Sequence, residues 1–324
     1  MRRIGVLSSG GDGPGFNPCI RAVVRTAISH GVSVMGIKYG FAGLINGEMD
    51  ELDVRSVGGI LGRGGTILGT ARSEEFRTER GRLTAMRKLH EYGVEGLVII
   101  GGDGSFRGAL QLWREFNFPV VGVPGTIDND IGGTDMSIGV DTALNTVLNA
   151  IDKIRDTASS HQRAFLIEVM GRECGYLALM SGIAGGAEMI LLPEVETSPE
   201  EVAGALKNAY LRGKAHCIII VAEGYKPGLE AVASYLTERH GELGFEVRTT
   251  VLGHVQRGGS PTAFERLLAT RLGVAAVEAL LNGQSGVMVG LVGNKVILTP
   301  LEEVVTRPKQ IDLSLYQMAK MLEK

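Results

Sequence analysis

The 324-residue sequence predicts an α/β protein of two domains, each with a mostly parallel sheet covered by helices on both faces. Three observations carry this. Short apolar runs alternate with amphipathic stretches along the chain. The glycine-rich and acid-bearing loops all follow apolar runs, as expected where ligands sit at the carboxyl ends of parallel strands. The length also exceeds one domain at about 150 residues each, and each part is long enough for its own core.

The elements follow in order. Strands are expected at 3–8, 33–37, 97–101, 119–123, 164–169, 188–192, 216–222 and 247–252. A helix is expected to start at Asn17 as N-cap, with Pro18 at its first position. Its apolar stripe is Ile20, Val23, Val24, Ala27 and Ile28, and Gly31 closes it. A second helix runs from about Asp141 to Ala158, with Leu144, Val147, Leu148, Ile151 and Ile154 inward. A third follows Ser260-Pro261 and carries Leu267, Leu268, Leu272, Val274 and Val277. There is no low-complexity segment, short repeat or linker, so composition does not mark a domain boundary.

The formal net charge is -3, from 33 basic and 36 acidic residues, which argues against a broad nucleic-acid footprint. Cys19, Cys174 and Cys217 are odd in number and lack CxxC spacing, so they suggest neither a disulfide framework nor a thiolate zinc site. A reducing compartment fits. Met1-Arg2-Arg3 precedes only the short apolar run Ile4 to Leu7, too short for a signal-peptide core. No apolar stretch approaches the roughly 18 residues of a membrane helix. The expectation is a cytoplasmic protein with no membrane or nucleic-acid partner. The 47 glycines gather in loops after apolar runs, where backbone must approach something closely.

Two loops carry the chemistry. Leu97-Val98-Ile99-Ile100 runs into Gly101-Gly102-Asp103-Gly104-Ser105. Val120-Val121-Gly122-Val123 runs through Pro124-Gly125 into Thr126-Ile127-Asp128-Asn129-Asp130. A carboxylate between glycines suits Mg²⁺, which takes one or two carboxylates plus substrate phosphates; the alternative for Asp103 is a turn aspartate capping the next helix. Asp128 and Asp130 sit two apart, and only an irregular loop aims both at one place. Asp128 reads as a general base, or as an ordinary turn residue. Together the loops suggest phosphoryl transfer. The loop Ser8-Ser9-Gly10-Gly11-Asp12-Gly13-Pro14-Gly15 could cradle phosphate or form a tight turn. It matches neither G-x-G-x-x-G nor the Walker pattern. Gly62-Arg63-Gly64-Gly65-Thr66 with Arg72 is similar.

The loops at 101–105 and 124–130 stand in order with Met170-Gly171-Arg172 and Gly253-His254-Val255-Gln256-Arg257-Gly258-Gly259-Ser260-Pro261. In this the chain resembles the phosphofructokinases over nearly its whole length, in their short, bacterial, ATP-dependent form. The resemblance implies two Rossmann-like three-layer domains with the active site in the interdomain cleft. It places an ATP-binding domain at 1–139 plus 256–306 and a sugar-phosphate-binding domain at 140–255 plus 307–324. Asp128 would deprotonate the 1-hydroxyl of fructose 6-phosphate, and Asp103 would hold Mg²⁺. Thr126 and Arg172 would steady the transferring group, and Asp130 would support metal and base. Gly11, Arg72, Ser73, Gly102, Asp103, Gly104 and Ser105 would hold ATP.

Arg163, Arg248, His254 and Arg257 would bind the sugar phosphate, whose oxygens suit the guanidinium fork. Met170, Gly171 and Arg172 would line that subsite, and Glu223 would take a sugar hydroxyl. The positions of Arg163 and Arg248 reach a neighbouring subunit's site in the family, which implies an oligomer, usually a homotetramer. Pyrophosphate-dependent relatives carry Asp at the place of Gly104 and Lys at that of Gly125, so glycine at both favours ATP. Arg21 and Arg25, i and i+4 on the first helix, match the family's effector site together with Arg155, Glu188, Arg212 and Lys214. ADP as activator and phosphoenolpyruvate as inhibitor are the ligands implied.

The chain departs from the pattern in three places. The family's GGDAPGMNAAIR is replaced by Gly10-Gly11-Asp12-Gly13-Pro14-Gly15-Phe16-Asn17-Pro18-Cys19-Ile20-Arg21. An effector arginine expected after Leu52-Asp53 is Val54, with Arg55 next. A tyrosine near the adenine is Phe41. Rival readings are pyrophosphate dependence, another sugar-phosphate acceptor, or a non-catalytic sugar-phosphate sensor, which could dispense with Asp103 and Asp128.

Overall fold

The structure, a computed structural model, describes residues 1–322. In chain order the strands are β1 (Arg3–Ser9), β2 (Ser33–Ile37), β3 (Met49–Leu52), β4 (Leu97–Gly101), β5 (Val120–Pro124), β6 (Arg163–Val169), β7 (Met189–Leu191), β8 (Cys217–Ala222), β9 (Glu246–Val251), β10 (Val287–Val292) and β11 (Lys295–Pro300). The chain divides into two compact units. The first comprises Met1–Ile127, Ile131–Thr142 and Arg257–Lys309. The second comprises Asp128–Asp130, Ala143–Gln256 and the stretch from Gln310.

The first unit holds a seven-stranded sheet in the order β11-β10-β5-β4-β1-β2-β3. Its interior strands are parallel, and β3 and β11 close the edges antiparallel to β2 and β10. The twofold alternation of a strand sorts its residues into two cores. Ile4, Val6, Val98 and Ile100 face the helices Phe16–Ser29 and Ala263–Leu281. Leu7, Leu97, Ile99 and Val120 face the other way, into a core shared with the helices Gly40–Asn46, Glu79–Glu91 and Asp103–Phe116. Strands buried on both sides must be continuously apolar, and β4 is buried at every residue.

The second unit holds a four-stranded, all-parallel sheet in the order β7-β8-β6-β9. Ala164, Leu166, Ile219 and Val221 pack into one core with the helices Pro199–Leu211 and Leu229–Glu238. Helix Tyr176–Ala184 also packs on β8. Ser198 starts helix Pro199–Leu211 with a reciprocal capping box to Glu201.

All eight strands expected from sequence are present, with ends shifted by a residue or so. Three were not anticipated. β3 is a short edge strand with two acids, Asp50 and Glu51, and no apolar run. β10 and β11 form a hairpin across Gly293-Asn294, both at positive φ.

One helix expectation is corrected. The first helix spans Phe16–Ser29, with Gly15 as N-cap in the left-handed region at φ 98°. Asn17 lies inside it, 1% exposed, and donates to the Arg63 and Gly64 carbonyls while accepting from the Ile67 N–H. Its amide pins the 63–67 loop instead of capping its own helix. In the third helix Leu268, Leu272 and Val277 are buried, and Leu267 is 66% exposed.

Candidate active site

The loops after β1, β4 and β5 are adjacent because those strands are neighbours. Ser105 Oγ donates to the Ser9 carbonyl at 3.0 Å, and Gly125 N–H donates to the Gly101 carbonyl at 2.9 Å. Gly101 must lack a side chain, since a Cβ there would lie 2.6 Å from the Ser9 carbonyl oxygen. Thr126 stands over the next loop, its Cβ 3.6 Å from where a Gly102 Cβ would be. Gly11 lies against Arg257, whose Nη1 would be 3.3 Å from a Cβ at Gly11. One expected ATP contact and one expected sugar-phosphate contact therefore meet within the first unit. Ser73 Oγ accepts from the Phe76 N–H at 3.2 Å, and Arg72 beside it is exposed. Phe41 is buried and stacks on Phe76 with centroids 3.9 Å apart.

Asp103 is the first residue of helix Asp103–Phe116, where the helix dipole favours a carboxylate. Its Oδ2 accepts from Arg107 Nε at 2.8 Å, and Arg107 also donates to the Val305 carbonyl. The pair raises the Arg107 pKa further. Asp103 remains about half exposed. No cluster of three or more metal-ligating side chains occurs among the described residues. A cation at Asp103 would therefore draw most of its oxygens from phosphate and water, as Mg²⁺ does in kinase sites.

In the second unit, Asp128 is 5% exposed and faces Arg172, with 3.6 Å between Oδ2 and Nε. The irregular backbone that the paired acids required is supplied by Asn129, which is buried at φ 53°. Arg172 is itself left-handed, at φ 50°. Its turn is held by Glu223, whose Oε2 accepts from the Gly171 and Arg172 N–H groups at 3.2 and 2.9 Å. Glu223 thus has a structural duty beyond the sugar hydroxyl read from sequence. It also helps raise the pKa of Glu168, though burial is the larger cause. Cys174, close to Asp128 and Asp130, has its thiol pushed up to about 11, mainly by burial.

Gln256 is a residue that sequence reasoning passed over. Fully buried, it accepts from the Met170 N–H at 3.1 Å and donates to the Gly253 carbonyl at 3.0 Å. Its only sequence signal is a polar residue between Val255 and Arg257. Gln256→Leu should strand both partners and lower the unfolding free energy by about 1–3 kcal/mol, as read by urea titration.

Arg163 and Arg248, on the neighbouring strands β6 and β9, converge on Glu246. His254 is exposed on the short turn Gly253–Arg257. Of the expected effector residues, Lys214 Nζ donates to Glu188 Oε1 at 3.1 Å, and Arg155 donates to the Gly185 carbonyl. Glu188 and Arg212 line a cavity of about 440 Å³. Arg21 and Arg25 sit on the first-unit helix Phe16–Ser29.

A family model described as Phosphofructokinase matches residues 3–280. The chain belongs to the phosphofructokinase family. A Thermus thermophilus protein named "ATP-dependent 6-phosphofructokinase 1" is 59% identical over 322 residues, 99% of each chain. A Natranaerobius thermophilus protein named "ATP-dependent 6-phosphofructokinase" is 55% identical, with the same coverage. The solved phosphofructokinase of Saccharomyces cerevisiae superposes with a TM-score of 0.86 at 38% identity. That alignment covers all of this chain and 47% of the yeast chain, so the chain spans about half the yeast chain's length. The phosphofructokinase fold accounts for the mostly parallel sheet of the first unit and the parallel sheet of the second.

The two glycines tied to phosphoryl donor differ in their physical situation. A Cβ at Gly104 would meet nothing within 4 Å. A Cβ at Gly125 would lie 2.8 Å from the Phe16 ring and 3.0 Å from Ile100. In this chain packing disfavours a side chain at 125, while at 104 the space is open.

Proposed function

We propose that the protein transfers the γ-phosphoryl group of ATP to the 1-hydroxyl of fructose 6-phosphate, giving fructose 1,6-bisphosphate and ADP. The observation that carries this is Asp128, a nearly buried carboxylate in a left-handed turn opposite Arg172. Asp128 takes the proton of the 1-hydroxyl as that oxygen attacks the γ-phosphorus. The bond to the β–γ bridging oxygen breaks, and ADP leaves. Arg172 and Thr126 offset the charge spread over the transferring oxygens, and Asp130 supports the base. The chemistry is mostly positioning, which suits side chains held by Asn129 and Glu223.

Asp103 would hold Mg²⁺, which neutralises phosphate charge when bound. Gly11, Arg72, Ser73, Gly102, Gly104 and Ser105 would hold ATP, and the open space at Gly104 leaves room for it. The first unit then serves as the ATP-binding domain and the second as the sugar-phosphate-binding domain. Arg163, Met170, Gly171, Arg172, Glu223, Arg248, His254 and Arg257 would bind the sugar phosphate. The exposure of Arg248, with Arg163 partly exposed beside it, suits sharing of sites in a homotetramer. Among the described residues, no helix is long and apolar enough to cross a membrane. A coupled assay of the purified protein with fructose 6-phosphate tests the reading. Turnover with ATP and none with pyrophosphate is expected.

Arg21, Arg25, Arg155, Glu188, Arg212 and Lys214 would form the effector site. Phosphoenolpyruvate should make the fructose 6-phosphate curve sigmoidal, and ADP should relieve it. An unchanged curve with both ligands removes this assignment.

A further inference from the structure

The mechanism leaves one fully buried carboxylate unused. Glu265 is 0% exposed and lies in the first turn of helix Ala263–Leu281. Thr262-Ala263-Phe264-Glu265 has the form of a capping box, in which the glutamate would turn back to its own N-cap. Here only half of that box is made: Thr262 accepts from the Glu265 N–H. The Glu265 side chain instead reaches the start of helix Val140–His161. Its Oε1 accepts from the Gly139 N–H at 2.7 Å, and its Oε2 accepts from the Thr142 N–H at 3.1 Å and from Thr142 Oγ at 3.2 Å. Thr142 Oγ in turn accepts from the Thr262 N–H, and Thr262 hydrogen-bonds Asp141. Two helices exchange caps.

The clasp lies next to the reactive loop. Gly139, at φ 111°, packs so closely that a Cβ there would be 3.2 Å from Ile127 Cγ2, and Ile127 immediately precedes Asp128. Gly15, the N-cap of the first helix, sits on the same carboxylate, where a Cβ would be 2.9 Å from Glu265 Cγ. Thr142 is the last residue of the first unit before the chain passes to the second, and Arg257 the first after it returns. Burial pushes the Glu265 carboxyl up to about 7, against the opposing pull of its three donors. An energetically costly group is thus retained where two outgoing turns and the residue before Asp128 meet.

We propose that Glu265 is a positioning residue for phosphoryl transfer, fixing Ile127, and through it Asp128, by clamping the Gly139–Thr142 turn. This rests on the assignment of Asp128 as base. The chemistry tolerates little displacement: an error near 1 Å costs about 100-fold in rate. Uniform substrate binding does not need the clasp, so its loss acts on kcat and leaves KM in place.

The test is steady-state kinetics of the intact protein carrying Glu265→Gln, Thr142→Val or Asp128→Ala, with fructose 6-phosphate and ATP. Glu265→Gln should lower kcat about 30- to 100-fold while changing either KM less than about threefold. Thr142→Val keeps the side-chain shape and removes one donor, and should lower kcat by about three- to tenfold. A residue that only stabilises the fold would lower the unfolding temperature and leave kcat of the folded enzyme at its parental value. If Glu265→Gln does not fold, Thr142→Val decides alone. Parental kcat in Thr142→Val, with turnover lost in Asp128→Ala, overturns the clasp without touching the assignment of the base. Retained turnover in Asp128→Ala overturns that assignment, and the clasp with it.

Discussion

Asp128→Ala is expected to lower kcat by about 10²- to 10⁴-fold, the range of a lost general base, with KM for both substrates little changed. The fold should survive. The carboxylate is 5% exposed, but its partner Arg172, at 3.6 Å, is half exposed, so water can solvate the guanidinium once the carboxylate is gone. The Arg172 turn is held independently of it, by Glu223. Activity and stability should therefore separate cleanly. A coupled assay and a thermal melt on the same preparation read both. Turnover at the parental level would take Asp128 out of the chemistry.

Lysine at 125 and aspartate at 104 should behave in opposite ways. Gly125→Lys forces a Cβ to within 2.8 Å of the Phe16 ring, in the core between β4, β5 and the first helix. Overpacking of this kind costs about 1–3 kcal/mol, and it should lower the unfolding temperature and reduce turnover with any donor. Gly104→Asp enters open space and should leave the unfolding temperature unchanged. Its charge beside the nucleotide phosphates should raise KM for ATP about tenfold or more while sparing KM for fructose 6-phosphate. Equal loss of stability in the two variants would contradict the geometry. The two glycines first carried equal weight in the argument for ATP. The structure leaves more of that weight on Gly104, because at 125 the Phe16 ring of this chain already disfavours a side chain.

The elements that sequence revealed best were those buried on both faces. β4, β5 and β8 are nearly continuous apolar runs, as is Ile4–Leu7 within β1, and burial on two sides demands that pattern. β3 was hidden because an edge strand with one solvated face can carry Asp50 and Glu51. The β10–β11 hairpin did have a signal: Gly293-Asn294 between apolar segments suits a turn needing two positive φ values. Asn17 misled because an asparagine before proline reads as a cap. The 63–67 loop, distant in sequence, competed for the same amide.

Within the site, the reactive side chains were legible as residue types in loops. Their holders were not, because those contacts are long-range. Arg172 meets Asp128, Gln256 meets Met170, and Glu265 meets Gly139 across sequence gaps that no local pattern spans. Arg107 is the exception. Its i, i+4 spacing from Asp103 on one helix face can be read directly.

Phosphorus NMR of the complete reaction tests the central claim most directly. With fructose 6-phosphate, ATP and Mg²⁺, a sugar 1-phosphate resonance should grow in step with ADP and with loss of the γ-phosphate signal, and Asp128→Ala should show neither change on the same timescale. ADP appearing with inorganic phosphate alone, or phosphate arriving at any other hydroxyl, would contradict the account.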